Sequence, residues 1–288
     1  MNALGYQAMA LGNHESDLGP TTLASFIPQA DFPVLSANLD ASTDPDLSGL
    51  IQAYTVLNVA GEKVGVFGLT TPDAAFISSP GTNVIFGDTF NAAQAVVDAF
   101  EGQGVNKIVA LTHLGYGVDQ KLAAAVDGVD VIVGGHSHTP LGNMEGAQGP
   151  YPTVVNAPSG DPGLIVSAYD WGRYLGRLDV TFSADGVVET YAGAPIFVDQ
   201  GIPEDAGVAA DVDQYAQPLE ELRSHIVGQS AVDLNGDREL VRSQETNLGN
   251  LICDAMLWKS AGEDTQICLV NGGRPARDDA DRHRLVSA

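Results

Sequence analysis

Two histidines that follow a predicted buried strand are the first residues of this sequence with the chemistry to bind a metal ion. His136 and His138 stand in the stretch Gly-Gly-His-Ser-His-Thr-Pro, directly after the apolar residues 129–133. A strand pattern that stops at two glycines predicts a tight loop, which places both imidazoles at the C-terminal end of the strand. Open α/β sheets keep their ligand sites at that end. A histidine pair in a loop can equally be solvated or hydrogen-bonded, so this motif alone leaves metal binding undecided.

Two further stretches also place imidazole or amide side chains after an apolar run. His113 ends an apolar run that starts at Lys107, and Asn13 and His14 follow the residues Met-Ala-Leu-Gly. We therefore expect three strands to bring these side chains and the histidine pair to one sheet edge. Imidazole and amide ligands suit Zn, Mn, Co or Fe better than Ca.

These motifs resemble those of the calcineurin-like metallophosphoesterases, and in particular of the secreted 5′-nucleotidase branch. The similarity covers nearly the whole chain to about Gly273. It implies an α/β fold, namely a four-layer α-β-β-α metallophosphoesterase sandwich followed by the start of a 5′-nucleotidase C-terminal α+β domain. It also implies a two-metal phosphohydrolase of nucleotide catabolism that cleaves nucleoside 5′-monophosphates, with UDP-sugars and 2′,3′-cyclic nucleotides as further candidate substrates.

The resemblance assigns metal ligands residue by residue. Asn13, His113 and His136 would hold the second of two divalent ions, and His138 would help to hold the first. Zn, Mn, Co or a similar metal fits these ligands. Such ions polarise a phosphoryl oxygen and create a nucleophile near neutral pH.

The resemblance also implies catalytic and substrate-binding residues. His14 and Asp17 resemble a dyad in which the carboxylate orients a histidine that stabilises the departing oxygen. A helix N-cap is the alternative role of Asp17. Arg242 and Asn271 match positions that contact the nucleoside part of the substrate, and Asn247 is a weaker candidate. A surface arginine is the alternative role of Arg242.

Two expected motifs do not precede Asn13. Family members carry an Asp-x-His and a metal-bridging Gly-Asp there, whereas Gly87-Asp88 of this chain predicts a helix N-cap at Asp88 or Thr89. We expect Met1 to be an internal methionine of a longer sequence. Because the remaining ligands are neutral and two nearby dications repel strongly, we expect at most one weakly bound ion and little turnover. A catalytically inactive gene fragment that keeps the fold is the alternative to an enzyme.

Patterning predicts four regions: a catalytic domain over residues 1–200, a linker with a helix over 201–227, the start of the C-terminal domain over 228–273, and an atypical tail without function over 274–288. Thr246 or Asn247 can cap a helix over 248–258. The main predicted strands are 32–39, 54–60, 63–69, 107–112, 152–157, 164–169, 176–183, 227–234 and 266–270. Strands 54–60 and 63–69 are predicted to form a hairpin. Strand 83–86, helix 90–100 and strand 107–112 are predicted to form a βαβ unit.

Composition limits the partners of the chain. It has 288 residues, 44% of them hydrophobic and 17% charged, as in globular proteins. Its 37 acidic and 13 basic residues give a net charge of −24, which argues against nucleic acid or anionic membrane as partners. A small-molecule nucleotide must therefore be held locally.

No apolar run reaches the ~18 residues of a membrane span, and no signal segment is evident. The family resemblance implies a periplasmic, cell-surface or secreted location, and the oligomeric state is left open.

Cys253 and Cys268 are the two cysteines of the chain. They resemble positions at which vertebrate-like members of the family form a disulfide, and two buried free thiols are the alternative. A metal site formed by this pair is not expected because they lack Cys-x-x-Cys spacing.

Overall fold

The computed structural model describes residues 1–226 and 228–272. The chain divides into two units, Met1–Glu204 and Asp205–Ala288. The predicted boundaries at residues 200 and 227 stay predictions, and the predicted tail of residues 274–288 lies outside the described residues. No helix within the described ranges has both the length and the apolar character that a membrane span needs.

The regular elements, apart from short 3₁₀ turns, are twelve strands and seven helices within the described ranges. The strands are β1 Met9–Ala10, β2 Val34–Leu35, β3 Leu39–Asp40, β4 Tyr54–Val59, β5 Glu62–Thr70, β6 Ile85–Phe86, β7 Ile108–His113, β8 Val131–Gly134, β9 Thr153–Asn156, β10 Pro162–Ser167, β11 Tyr174–Phe182 and β12 Val188–Phe197. The helices are α1 Pro20–Phe26, α2 Ala74–Ile77, α3 Thr89–Glu101, α4 Tyr116–Ala125, α5 Ala206–Ser224, α6 Arg238–Ser243 and α7 Asn247–Lys259.

A six-stranded sheet with the order β4-β5-β7-β8-β10-β9 forms the centre of the first unit. Its middle strands β5, β7, β8 and β10 are parallel, and antiparallel strands lie at both edges. The middle strands are apolar because helices α3 and α4 cover the sheet. The buried residues of this core include Phe67, Leu69, Val97, Phe100, Ile108, Ala110, Leu122 and Ile132.

A second, smaller core supports the loop that follows β1. It is formed by Leu11, Leu23, Val34 and Leu47, all of them buried. β1 pairs in parallel with β2 in a separate two-stranded sheet. The expectation that the strand before Asn13 shares a sheet with those before the other histidines is therefore wrong, since the β1 backbone bonds to β2.

Two predicted strand arrangements also differ from the structure. The predicted strand 32–39 is split into β2 and β3, because the side chains of Ser36 and Asn38 between them turn to Thr70. Ser36 Oγ lies 2.8 Å from Thr70 Oγ1, and Asn38 Nδ2 donates to Thr70 O at 2.8 Å. The predicted βαβ unit is wrong in its first strand: β6 pairs with β3, and β5 is the parallel neighbour that α3 connects to β7.

Several local predictions are confirmed. β4 and β5 form the predicted hairpin. Asp88 caps α3 by accepting from Asn91 N at 2.8 Å, and Thr246 caps α7 by accepting from Gly249 N at 3.2 Å. The α1 helix is preceded by Gly19 at its N-cap, so the alternative role of Asp17 as that cap is wrong.

The second unit contains helices but neither of the strands predicted for it. Residues 228–234 and 266–270 are irregular, and residue 227 lies outside the described residues. A strand requires a hydrogen-bonding neighbour, and no strand of the described part of this unit lies beside either segment. Cys253 on α7 and Cys268 form a disulfide, with their Cα atoms 5.5 Å apart.

Candidate active site

Two histidines meet where β7 and β8 end. The strands are parallel and in register, with Thr112 opposite Gly134, so the residues that follow them lie at one level of the sheet. His113 ends β7, and His136 follows β8 after Gly135. Their ring centroids are 4.9 Å apart. The strand register therefore brings these two imidazoles together, as the sequence predicts.

The loop after β8 is held in an unusual conformation. His136 and His138 have φ values of 74° and 48°, which are rare for residues other than glycine. Ser137 between them ties the loop to its surroundings: its Oγ accepts from Tyr116 N at 3.0 Å and lies 2.6 Å from Thr139 Oγ1. The backbone is thus fixed at the point where the two imidazoles leave it.

Asn13 joins the two histidines from the other sheet. Its side chain is buried, and its Oδ1 lies 2.9 Å from Nε2 of His113. Gly12 allows this approach, because a Cβ added there would lie 2.9 Å from Cε1 and Nδ1 of the His113 ring and 2.8 Å from Oε2 of Glu15. The Gly12 N–H also donates to this Glu15 oxygen at 2.7 Å.

Burial keeps the central imidazoles uncharged. Desolvation, followed by the neighbouring His136, His14 and His138, lowers the pKa of His113 to about 4. The pKa of His136 is also lowered, again chiefly by burial. Both rings are therefore neutral near pH 7, the protonation state that a metal ligand requires.

His14 forms a second arrangement beside this cluster. Its Nδ1 lies 2.7 Å from Oδ2 of Asp17, and the other oxygen of Asp17 accepts from Ser78 Oγ at 2.9 Å. These hydrogen bonds, with that of His14 the larger cause, lower the pKa of Asp17. The structure thus brings together the predicted dyad and adds Ser78, which no feature of the sequence indicated. The His14 side chain is 77% exposed, so it is open to a ligand.

His138 contacts a carboxylate that the sequence analysis missed. Asp170 Oδ2 lies 3.6 Å from His138 Nδ1, and Asp170 Oδ1 lies 3.8 Å from Arg173 Nε. The Arg173 guanidinium stands over the Trp171 ring, 4.6 Å from its centroid. Nothing in the local sequence around Asp170 indicates this contact, because the two loops meet only in the tertiary structure.

A second buried carboxylate lies beneath the site. Asp119 on α4 is only 1% exposed, and its Oδ1 accepts from Thr112 Oγ1 at 2.7 Å. Its Oδ2 is buried without a hydrogen-bond partner and closely approaches Gly134, where a Cβ would clash with it. Burial raises the pKa of Asp119 to about 7. This residue therefore packs between the ends of the two strands that carry the central histidines.

The donor types of the cluster fit a divalent metal. Neutral imidazoles and an amide oxygen are ligands for Zn, Mn or Co, and Oδ2 of the Asp170 carboxylate lies 3.6 Å from Nδ1 of His138. Across residues 1–226 and 228–272, no group of three or more His, Cys, Asp or Glu side chains is gathered closely enough to hold an ion. The ligand atoms are thus of the right kind, but they do not form a closed site.

The three predicted substrate contacts lie in the second unit. Gly272, which follows Asn271, lies close to the backbone of α6. A Cβ added at Gly272 would lie 3.2 Å from the Cα of Arg242. The Asn247 amide is engaged by backbone: Oδ1 accepts from Asn235 N at 2.7 Å, and Nδ2 donates to Asp233 O at 2.8 Å. Arg242 and Asn271 are therefore close in space, whereas Asn247 has a structural role at the start of α7. Their role in substrate binding stays a prediction.

The chain is similar in sequence to known nucleotidases and to a nucleotide phosphoesterase. Residues 226–282 match the family model of the 5′-nucleotidase C-terminal domain. The chain is 43% identical to a 5′-nucleotidase of Rattus norvegicus over an alignment that covers 95% of this chain and 50% of that protein. It is 39% identical to the trifunctional nucleotide phosphoesterase protein YfkN of Bacillus subtilis, covering 95% of this chain and 20% of that protein.

Structural similarity extends over most of the chain. The crystal structure of a 5′-nucleotidase precursor from Thermus thermophilus superposes with a TM-score of 0.85 at 50% identity, covering 92% of this chain and 54% of that one. The chain spans about half the length of the curated 5′-nucleotidases that it matches. Its fold is the α/β metallophosphoesterase fold joined to residues of a 5′-nucleotidase C-terminal domain. In sequence and in fold, the chain is thus similar to 5′-nucleotidases over about half of their length.

Proposed function

We propose that this chain carries the catalytic centre of a metal-dependent phosphohydrolase of 5′-nucleotidase type, which cleaves phosphate esters of nucleotides. The observation on which the proposal rests is the convergence of Asn13, His113 and His136 beside the His14–Asp17 pair. It places candidate metal ligands next to a histidine that a carboxylate orients. The relatives named as 5′-nucleotidases and as a nucleotide phosphoesterase support this reaction class.

His14 is proposed to act on the oxygen that leaves the phosphorus atom. Asp17 accepts a hydrogen bond from Nδ1 of His14 at 2.7 Å, so the proton is held at Nδ1 in the neutral ring and Nε2 faces outward. When the ring is protonated, Nε2–H can donate to the developing alkoxide. Ser78 holds the second oxygen of Asp17 and so fixes the carboxylate while it orients the imidazole.

Asn13, His113 and His136 are proposed to hold one divalent ion, and His138 to help hold another. Bound divalent ions would supply Lewis-acid stabilisation of the charge on the phosphoryl oxygens. The low pKa of His113 keeps its ring available for binding well below neutral pH. Zn, Mn and Co are the metals that these donor types favour.

Substrate recognition is proposed to use Arg242 and Asn271. Arg242 is an exposed cation on α6, and Asn271 lies on the adjoining segment. In a chain of net charge −24, a nucleotide anion needs such local donors because the overall field repels it. Nucleoside 5′-monophosphates are the first candidates, and UDP-sugars and 2′,3′-cyclic nucleotides are further ones. Asn247 is a weaker candidate because its amide already bonds to backbone.

We further propose a periplasmic, cell-surface or secreted location. The disulfide between Cys253 and Cys268 supports it, because structural disulfides persist in oxidising compartments and are rare in the cytosol of mesophiles.

Phosphate release from AMP, UDP-glucose and a 2′,3′-cyclic nucleotide tests the proposal, with Mn²⁺ or Zn²⁺ added to the purified chain. We expect H14A and D17N to lower the rate by about 10²- to 10⁴-fold, the usual contribution of a positioned proton donor. H225A is the matched control, since His225 is an exposed histidine of the second unit. An equal loss in H225A, or no loss in H14A, would contradict the assignment.

A second candidate is a chain that keeps the fold but does not turn over nucleotides. The neutral character of all four proposed ligands, Asn13, His113, His136 and His138, favours it, since two dications close together need anionic ligands to offset their repulsion. Calorimetric titration separates the two candidates: two tight ions with AMP turnover support the enzyme, and at most one weak ion without turnover supports the non-catalytic chain.

A further inference from the structure

The carboxylate of Asp170 is buried but poorly paired. Its side chain is 6% exposed, and its Oδ1 is one of the buried side-chain atoms in the described part of the chain that have no hydrogen-bond partner. A buried carboxylate without hydrogen bonds is costly, and such exceptions in a folded protein require an explanation.

The neighbours of Asp170 are two cationic or ionisable side chains at ion-pair distance. His138 Nδ1 lies 3.6 Å from one oxygen, and Arg173 Nε lies 3.8 Å from the other. The guanidinium of Arg173 also contacts two aromatic rings. It lies 4.6 Å from the ring centroid of Trp171 and 5.6 Å from that of Tyr169. Arg173 thus makes cation–π contacts while its Nε lies beyond hydrogen-bond distance of the carboxylate. A negative charge next to His138 is therefore only partly compensated.

Backbone geometry at the same place gives an independent observation. His138 has a φ of 48°, and Tyr169 and Trp171 have φ values of 66° and 52°. Left-handed conformations of this kind are unfavourable for bulky residues, and they persist where the surrounding structure enforces them, often at functional sites. The two loops meet here, with the His138 and Trp171 rings 6.3 Å apart between centroids. Both are thus fixed in strained conformations where Asp170 faces His138.

We infer that Asp170 is a positioning residue for His138: its carboxylate holds the proton of the imidazole at Nδ1 and leaves Nε2 to bind a divalent cation. Carboxylates that accept from the second nitrogen of a metal-binding histidine fix its tautomer and orientation and raise its basicity. Asp170 would also add a negative charge close to an otherwise neutral ligand set. The inference rests on the proposed function, in which His138 helps to hold an ion.

Zinc titration of the 288-residue chain by calorimetry tests this role. We expect D170N to weaken Zn²⁺ binding by about 10- to 100-fold, the usual effect of removing such a partner. D179N is the matched control, because Asp179 is an exposed carboxylate of β11 that pairs with Arg177 at 2.9 Å. The D179N protein should bind Zn²⁺ as tightly as the wild type does. Affinity of D170N equal to that of the wild type would overturn the inference.

A double-mutant cycle shows whether Asp170 acts through His138. If it does, D170N should have no further effect on Zn²⁺ affinity in a chain that already carries H138A. Equal losses from D170N with and without H138A would overturn the inference, since Asp170 would then act on the ion by another route. D170E, which keeps the charge, should recover part of the affinity.

Nitrogen NMR of the metal-free chain gives a readout that does not depend on metal binding. The ring signals of His138, assigned by their loss in H138A, should show a proton at Nδ1 in the wild type and a mixture of tautomers in D170N. Identical tautomers in the two proteins would overturn the inference. If the wild type binds no Zn²⁺, the proposed function fails, while this measurement still decides whether Asp170 orients His138.

Discussion

Replacing Asp119 by asparagine should change how the stability of the protein depends on pH. The carboxyl group is 1% exposed, accepts one hydrogen bond from Thr112, and has its second oxygen buried without a partner. Burial raises its pKa to about 7, so the folded protein keeps a proton on Asp119 that the unfolded chain releases above its ordinary pKa of 3.8. Asparagine has nearly the same shape but does not titrate.

The size of the effect follows from these two pKa values. Between pH 3.8 and about 7 the folded state binds one more proton at Asp119 than the unfolded state does, so the free energy of unfolding falls as the pH rises. The fall is about 1.4 kcal/mol per pH unit, or about 4 kcal/mol in all. Most of it, about 3 kcal/mol, lies between pH 5 and pH 8.

Urea unfolding at pH 5 and pH 8 measures this contribution. We expect the wild type to lose about 3 kcal/mol more than D119N between the two pH values, while the other titrating groups contribute equally to both proteins and cancel. D31N serves as the control, since Asp31 is exposed, and it should behave as the wild type does. The same pH dependence in D119N and the wild type would refute the view that this carboxyl is protonated in the folded state.

Three other predictions concern the disulfide and the histidine cluster. The Cys253–Cys268 disulfide links residues 15 positions apart in the sequence, and its reduction should destabilise the second unit by about 3 kcal/mol. Hydrogen exchange of the α7 amides with and without reductant measures this loss, and unchanged exchange would count against it. Gly12→Ala should lower the free energy of unfolding by about 1–3 kcal/mol and weaken Zn²⁺ binding, because its Cβ would press on the His113 ring. The control Gly117→Ala, where a Cβ meets no atom within 4 Å, should do neither. Finally, His113 should lower the free energy of unfolding as the pH falls from 6.5 towards 4, opposite to the contribution of Asp119, because its pKa of about 4 keeps the ring neutral while the unfolded chain takes up a proton. In urea titrations the metal-free wild type should therefore lose stability relative to H113N between pH 6.5 and pH 4, and a constant difference between the two proteins would be inconsistent with this reasoning.

The central histidines could be predicted from sequence because the strands that precede them are strongly apolar. Such strands are continuous apolar runs that end at clear polar or glycine residues. Once β7 and β8 are placed as parallel neighbours, their register brings His113 and His136 together. The pairing of His14 with Asp17 was likewise local, since the two residues are separated by a single turn of the chain.

The supporting carboxylates could not be found in this way. Asp119 lies in α4, where an acidic residue normally faces solvent, and it is buried because the chain packs Thr112 and Gly134 against it. Asp170 reaches His138 from another loop. Both depend on contacts between segments that are distant in sequence, which periodicity does not describe.

The sequence also predicted strands poorly where a strand depends on a neighbouring strand to pair with. β12 contains Gly193 and Pro195, which are unfavourable in strands, but it forms a long hairpin with β11. Residues 266–270 have the composition of a strand yet are irregular, and no strand in the described part of their unit lies beside them. β-propensity describes how well a segment fits a sheet that is already present, and it does not supply the partner.

The arrangement of β7, α4 and β8 has a consequence for engineering. His113, His136 and His138 all lie in the contiguous segment 108–138, and so does Asp119, which packs between the two strand ends. Exchanging this one segment with that of a relative would transfer three imidazoles and the packing beneath them in a single cassette, while the Asn13 loop and the second unit stay unchanged. A set of such chimeras would show whether the proposed metal ligands can be exchanged independently of the proposed substrate contacts.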